Sequence, residues 1–236
     1  MQIGYIKINL AIAGIAIGVV ILPQLSKHVK AKRKDKISLI QNKALELSLL
    51  LSLPASAALL IGSEEIISAL FGYGSFDELS VLNSSKALYY FALGLPAFSL
   101  IKVFSSFFFA NHDTKIPFNI SLFSVLANIL ISISYFSEIG FIIIPIATTI
   151  SSWLNALLLF IFLKNKNLFS FNNIFLINLI KISGASILMA LFFNFLISYF
   201  QKELAFDQNI KSFYLILIVV FKSFILLNNF IFDQSF

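Results

Sequence analysis

The stretch FIIIPIATTISSWLNALLLFIFL, residues 141–163, contains no charged side chain and is long enough to cross the hydrocarbon core of a bilayer as a helix. Working outward with the same criterion of about 20 apolar residues per helix predicts about seven spans. Their ranges are 6–25, 46–70, 84–109, 117–136, 141–163, 174–200 and 213–232. Hydrophobic residues make up 59% of the chain and charged residues 12%, roughly half the charged share of a soluble protein. We therefore expect an all-α, polytopic membrane helical bundle.

The composition excludes several kinds of chemistry. The chain has no cysteine, which excludes thiol catalysis, disulfides and cysteine-ligated metals. His28 and His112 are predicted to lie in separate polar loops, so we expect no histidine-based metal site. The net charge of +6 does not indicate nucleic acid, because the cations cluster between apolar runs and do not alternate with aromatic residues. Neither a nucleophile elbow nor a glycine-rich phosphate loop is present, and we do not expect an enzyme.

Lysine and arginine are distributed unevenly between the two sides of the predicted spans. Ten lie on the side reached after the first span: Lys27, Lys30, Lys32, Arg33, Lys34, Lys36, Lys43, Lys115, Lys164 and Lys166. The opposite side has three lysines and five carboxylates: Lys86, Lys202, Lys211, Asp77, Glu78, Glu138, Glu203 and Asp207. Because cytoplasmic loops carry the excess of cations, the pattern predicts a cytoplasmic C-terminus and an external Met1. An odd number of spans with an external start is expected when earlier spans are missing, so we expect the C-terminal part of a larger transporter.

Three polar side chains of the fourth and fifth predicted spans form a candidate cation site. Asn128 and Ser132 stand four positions apart and therefore share a helix face, and Thr148 lies on the next span. Their oxygens are the kind of ligand that a small hard cation prefers. The same residue types also form hydrogen bonds between membrane helices, which is their commoner use. No carboxylate stands beside them to neutralise an ion, and both interpretations stay open.

Lys102, Lys181 and Lys222 fall inside predicted spans, where a cation near the bilayer centre costs at least about 2.5 kcal/mol. Such a lysine either serves a function or extends its long side chain to the headgroup region. We favour the second interpretation for Lys181 and Lys222, and leave both open for Lys102.

Six short motifs follow one another in order between residues 10 and 165. They are Leu22-Pro-Gln-Leu-Ser-Lys27, Leu53-Pro-Ala55, Leu70-Phe-Gly-Tyr-Gly-Ser-Phe76, Ala92-Leu-Gly-Leu-Pro-Ala-Phe98 with Lys102-Val103, Phe108-Phe-Ala-Asn-His-Asp-Thr-Lys-Ile-Pro117 and Trp153-Leu-Asn-Ala-Leu-Leu158. In these motifs the chain resembles the C-terminal half of the MurJ (MviN) lipid II flippase family, within the multidrug/oligosaccharidyl-lipid/polysaccharide exporter superfamily. The motif positions expected to shape the fold are Pro23, Gly72, Gly74, Phe76, Pro96, Asp113, Thr114, Pro117 and Asn155.

The resemblance implies the second lobe of a two-lobed flippase with fourteen helices. Residues 6–165 would form helices eight to twelve. Residues 166–236 would form two additional helices, which in this family border a groove for the undecaprenyl tail. Residues 1–5 would be a late start or non-native sequence. Lys102 matches a family lysine near the cytoplasmic mouth, where it would guide an anionic headgroup.

The implied activity is translocation of lipid II, the undecaprenyl-linked peptidoglycan precursor, by alternating access across the bacterial cytoplasmic membrane. The implied partners are the bilayer, lipid II and the missing N-terminal lobe. No cofactor is implied beyond Na⁺ or the membrane potential as the energy source. The alternatives are a flippase for O-antigen or capsule lipid-linked oligosaccharides, a drug/cation antiporter of the same superfamily and, from another class, an inactive membrane fragment or non-transporting subunit.

Two of the departures from the family pattern concern expected ligand-binding positions. The arginine expected to hold the pyrophosphate would fall near Gly4, and no arginine occurs there. The sodium site of some members uses an aspartate at the position that is Ser132 here, so the carboxylate on which sodium coupling depends is absent.

Overall fold

The computed structural model describes residues 13–199, with side chains described from residue 21 onward. Every regular element in this part of the chain is helical, which confirms the all-α prediction. The helices are α1 Ala13–Lys30, α2 Lys34–Ile61, α3 Ser63–Phe71, α4 Glu78–Ala110, α5 Lys115–Ile139, α6 Ile143–Asn165 and α7 Asn173–Tyr199. The predictions for residues 1–5, for the span 213–232 and for Lys202, Lys211, Lys222, Glu203 and Asp207 lie outside the described residues.

Four stretches of the described chain are long and apolar enough to cross a membrane, namely residues 34–61, 78–110, 115–165 and 173–199. The third contains both α5 and α6, separated by a 3-10 turn at Gly140–Ile142. Gly140 has a φ of +73°, a left-handed conformation that glycine adopts without steric cost. The helices α2, α4, α5, α6 and α7 thus correspond to the second to sixth predicted spans, and the total of seven stays a prediction.

The boundaries of the second predicted span, 46–70, are wrong. Helix α2 begins at Lys34 and ends at Ile61, and the separate helix α3 follows. Helix α2 starts earlier than the predicted span. Polar residues such as Gln41 and Asn42 lower the mean hydropathy before residue 46, although both side chains are buried in the structure. His28, predicted in a loop, lies in the last turn of α1.

The junction between α2 and α3 is a point of close approach to α7. A Cβ atom on Gly62 would lie 2.8 Å from Cε1 and 3.0 Å from Cζ of Phe193, and the Phe193 ring is fully buried. The ring therefore occupies the space that any side chain at position 62 would need.

We expect Gly62→Ala to lower the free energy of unfolding by about 1–3 kcal/mol, the usual cost of overpacking a core. Gly184→Ala on α7 is the matched control, since nothing lies within 4 Å of a Cβ built there. Removing a helical glycine at an open position is expected to stabilise by up to about 1 kcal/mol. Thermal unfolding of the detergent-solubilised chain measures both variants, and equal effects would contradict the packing described for Gly62.

The described chain packs as two compact units. The first comprises the described residues up to Ser52 together with 96–127 and 151–179, and the second comprises 53–95, 128–150 and the described residues from 180 onward. The first unit has an aromatic cluster in which neighbouring ring centroids are 4.8–6.2 Å apart. Its rings are Phe104, Phe107, Phe160, Phe169, Phe171 and Phe175.

Hydrogen bonds from side-chain hydroxyls to the backbone of α4 join the helices of the second unit. Pro96 has no N–H group, so the carbonyl of Ala92 loses its partner within the helix. The Oγ atom of Ser56 on α2 donates to that carbonyl at 2.6 Å. Thr149 on α6 donates in the same way to the carbonyl of Tyr90, also at 2.6 Å. A proline kink is tolerated in a membrane helix when a neighbouring helix supplies such a donor, and α2 supplies it here.

Candidate functional site

Lys102 lies in the C-terminal third of α4, and its side chain is exposed. Its backbone carbonyl accepts a hydrogen bond from Ser106 Oγ at 2.8 Å, while its ammonium group forms no ion pair with a described residue. The side chains of Phe98 and Phe109 are also accessible on this helix. The structure therefore leaves a cation available to an anionic ligand, beside accessible phenyl rings and the partly exposed Ser99 and Ser105.

The three residues of the predicted cation site lie together in the second unit. The Nδ2 atom of Asn128 donates to Thr148 Oγ1 at 3.1 Å, and Ser132 Oγ donates to Asn128 Oδ1 at 3.4 Å. Thr148 in turn donates to the carbonyl of Ile144 at 2.8 Å. The amide nitrogen, and not a third oxygen, faces the threonine, and the group contains no carboxylate. These neutral donors do not fit a hard cation well, and the geometry favours hydrogen bonding between α5 and α6; cation binding stays a prediction.

The Asp-Thr-Lys-x-Pro motif forms the turn between α4 and α5. The Oδ1 atom of Asp113 accepts a hydrogen bond from the backbone N–H of Ile116 at 3.3 Å, which satisfies a free donor in the first turn of α5. Thr114 immediately precedes the helix, and its carbonyl accepts from Phe118 N. Pro117 is buried in the first turn, where the missing N–H group costs nothing.

An ion pair connects this turn to the end of α6. Lys166 Nζ lies 2.7 Å from Asp113 Oδ2. The hydrogen bond from the Lys166 side chain is the main cause that holds the pKa of Asp113 below its usual value of 3.8. The motif residue Asp113 thus has two partners, one in the helix that follows it and one far along the chain.

We expect the Asp113–Lys166 pair to make stability depend on pH in the acid range. Because the folded-state pKa of Asp113 is depressed, its contribution is present above the unfolded-state pKa of about 3.9 and is lost as the pH falls through the folded-state pKa. Asp113→Asn should therefore lower the unfolding temperature near neutral pH and reduce its acid dependence. Asp77→Asn is the control, since Ser80 and no lysine lowers the pKa of Asp77. Added salt should diminish the effect of Asp113→Asn on the unfolding temperature and leave that of Asp77→Asn unchanged. Equal salt sensitivity of the two effects would contradict the role of the Asp113–Lys166 ion pair.

The Phe-x-x-Gly-x-Phe motif forms the turn after α3. The N–H group of Gly72 donates to the carbonyl of Ser68 at 2.8 Å and ends the helix. Gly74 has a φ of +66°, which favours a residue without a Cβ. The ring centroids of Phe71 and Phe76 are 6.2 Å apart across the turn. These motif positions shape the chain, and Asn155 and Pro23 are placed within α6 and α1.

A polar ladder on α2, which the sequence did not predict, holds the connection between α6 and α7. Gln41 Nε2 donates to the carbonyl of Leu168 at 2.8 Å. The amide of Asn42 donates to the carbonyl of Ser170 at 3.0 Å and accepts from the N–H group of Asn172 at 3.1 Å. One side chain thus bonds the backbone on both sides of residue 171.

The ladder continues one turn further along α2 at Glu46, whose carboxylate is largely buried. Its Oε1 atom accepts from Asn178 Nδ2 on α7 at 2.9 Å, and its Oε2 atom lies 3.1 Å from Lys43 Nζ. A buried carboxylate is tolerated when it is paired and hydrogen-bonded. The spacing of positions 42 and 46 was a usable signal, because residues four apart share one helix face.

A groove of about 610 Å³ lies in the second unit between α2 and α7. Its walls are mostly apolar. Several of the lining side chains are small, which leaves space between the two helices. The lining residues are Leu53, Ser56, Ala57, Leu60, Ile61, Ser183, Ser186, Ile187, Ala190, Leu191 and Asn194. An apolar groove of this kind suits an alkyl chain better than a polar solute. The family resemblance implies a groove for the lipid tail beside the last two predicted spans, and that implication stays a prediction; the groove described here has α2 and α7 as its walls.

The long apolar helices of the described chain define a multi-pass helical membrane protein. The family model for the lipid II flippase MurJ matches residues 5–215. The chain belongs to this family, which confirms the resemblance found in the motifs.

Individual relatives agree with this assignment. The chain is 38% identical over 154 residues to the probable lipid II flippase MurJ of Rhizobium meliloti (strain 1021), a match that covers 65% of this chain and 29% of the relative. It is 29% identical over 181 residues to the lipid II flippase MurJ of Burkholderia cenocepacia, covering 76% and 35%. The chain thus spans about a third of the length of the curated relatives it matches.

A solved structure shares the fold. The inward closed conformation of a lipid II flippase MurJ aligns with a TM-score of 0.73 at 21% identity, covering 95% of this chain and 44% of that chain. At this level of identity the alignment supports the fold.

Proposed function

We propose that this chain forms the second lobe of a lipid II flippase in the bacterial cytoplasmic membrane. The observation that carries the proposal is the family match over residues 5–215. The protein would move its lipid between leaflets without making or breaking a covalent bond, so it would not be an enzyme. The basic side of the chain and its C-terminus would face the cytoplasm, in keeping with the distribution of Lys and Arg.

The exposed cation of α4 and the groove between α2 and α7 would serve the two parts of the lipid. Lipid II carries a pyrophosphate, which attracts an ammonium group, and Lys102 presents one without a competing carboxylate among the described residues. The undecaprenyl tail is an apolar chain, and the α2–α7 groove offers apolar walls. The structure describes each feature separately, and the proposal assigns them to one substrate.

Alternating access needs two lobes that move against each other, so the proposed partner is an N-terminal lobe. We expect the 236-residue chain alone to be inactive in lipid II translocation. Activity of the purified chain by itself in vesicles would contradict this expectation.

A chimera tests the proposed function. Residues 5–215 of this chain replace the matching segment of the Burkholderia cenocepacia relative, and the chimera is expressed in a bacterium depleted of its own lipid II flippase. Restored growth is the expected result. Rescue of O-antigen export in a strain that lacks the corresponding flippase, without restored growth in the first strain, would favour the alternative lipid-linked oligosaccharide.

Within this chimera we expect Lys102→Glu to reduce the number of colonies at least about tenfold, because like charges placed together cost several kcal/mol. Lys181→Glu is the matched control. It lies within a predicted membrane helix and is also exposed, but it is not assigned to the headgroup. Growth should persist in the control, and normal growth of the Lys102→Glu chimera would contradict the headgroup role.

A further inference from the structure

Residues 27–36, which join α1 to α2, carry an unusual concentration of exposed positive charge. This segment, here called the basic turn, contains one carboxylate, Asp35. The ion pairs of the described residues join Lys43 to Glu46 and Lys166 to Asp113, so they leave the cations of the basic turn unpaired. Those six exposed cations are Lys27, Lys30, Lys32, Arg33, Lys34 and Lys36.

The backbone of the turn brings these cations to one end of two helices. The N–H group of Arg33 donates to the carbonyl of His28 at 3.1 Å, and that of Lys32 donates to Val29 at 3.0 Å. Lys32 has a φ of +53°, so the pattern is that of a Schellman motif. Helix α2 starts at Lys34, directly after this motif. The motif therefore joins the last turn of α1 to the first turn of α2.

Stabilisation of the two helices by their own end charges explains only some of these cations. Cations at the C-terminal end of α1 interact favourably with the helix dipole, whereas Lys34 and Lys36 stand at the N-terminal end of α2, where the dipole disfavours them. Like charges three or four positions apart also repel one another. A ligand that supplies negative charge would offset both effects.

We infer that the basic turn is a binding surface for anionic phospholipid headgroups. Helix α2 contains an apolar stretch long enough to cross a membrane, so its charged first turn lies outside the hydrocarbon core, on the side where the headgroups are. Each lysine or arginine near an anionic leaflet strengthens the association of the protein surface with the lipid headgroups by roughly fivefold. The turn has no Phe, Tyr or Trp, the large aromatic side chains on which bases usually stack, which argues against nucleic acid. This inference does not depend on the proposed transport of lipid II.

The test compares lipids at the surface of the full chain in vesicles. The chain is reconstituted in phosphatidylcholine with a trace of spin-labelled phosphatidylglycerol or spin-labelled phosphatidylcholine, and electron spin resonance gives the ratio of their association constants. Four substitutions remove four of the six cations and keep Lys27 and also Lys32, whose backbone is left-handed: Lys30→Gln, Arg33→Gln, Lys34→Gln and Lys36→Gln. Four exposed lysines elsewhere provide the control with the same change of net charge: Lys86→Gln, Lys115→Gln, Lys164→Gln and Lys181→Gln.

We expect the preference for phosphatidylglycerol to fall at least about threefold in the turn variant and markedly less in the control. A double variant, Lys34→Gln with Lys36→Gln, should show part of the loss and guards against misfolding of the fourfold variant. Equal losses in the turn variant and the control, or an unchanged preference in both turn variants, would overturn the inference. Loss of the preference on adding millimolar inorganic phosphate at constant ionic strength would also overturn it, because the surface would then bind a soluble anion.

Discussion

Asn42→Ala is expected to lower the free energy of unfolding of the chain by about 2–3 kcal/mol, because it leaves several hydrogen-bonding groups without partners. The amide of Asn42 donates to the carbonyls of Ser38 and Ser170 and accepts from the N–H group of Asn172. The side chain is only 4% exposed, so water replaces these bonds poorly. Denaturant unfolding of the detergent-solubilised chain measures the loss.

Asn119→Ala on α5 is the matched control for this prediction. Asn119 is exposed, and substitutions at such positions usually change stability by less than about 0.5 kcal/mol. If the two variants lose equal stability, the connection between α6 and α7 is not held by Asn42 in the way described.

Ala190→Phe is expected to slow translocation of lipid II by the chimera at least tenfold. Ala190 lines the groove between α2 and α7, and a phenyl ring there would displace part of a bound lipid tail. Exclusion of two methylene groups costs about 1.6 kcal/mol at roughly 0.8 kcal/mol each, which corresponds to more than a tenfold loss of binding.

Leu188→Phe places the same ring on the same helix outside the groove. Leu188 is 58% exposed and is not among the residues that line the groove, so its replacement should leave translocation within about twofold of the parent chimera, as for an exposed site. Comparable thermal stability of the two variants would show that an effect of Ala190→Phe arises from the groove. Equal translocation in both variants would mean that the tail does not occupy this groove.

The features of the fold that the sequence predicts are those set by local pattern. The uncharged run 141–163 falls almost entirely within α6. The turns at Gly74 and at Asp113 take the conformations that their glycine and their capping carboxylate favour. The start of α2 was missed because Gln41 and Asn42 have partners 127 to 130 positions away, and no local pattern encodes a partner at that distance.

The candidate site likewise has features that local spacing predicts and features that depend on tertiary contacts. The shared helix face of Asn128 and Ser132, with Thr148 on the next helix, follows from spacing, and the structure brings the three residues together. Which atom faces which is a tertiary property, and it is the amide nitrogen of Asn128 that faces Thr148. The groove could not be predicted, because its walls come from α2 and α7, which are far apart in the sequence.

The central claim is that this chain serves as the second lobe of a lipid II flippase. The most direct measurement is the exposure of lipid II at the outer face of the cytoplasmic membrane in cells that depend on the chimera. A membrane-impermeant enzyme that cleaves the headgroup reports this exposure. We predict that the lipid II pool becomes cleavable when the chimera is expressed and stays protected when it is depleted. A stably inserted chimera that leaves lipid II protected would contradict the claim.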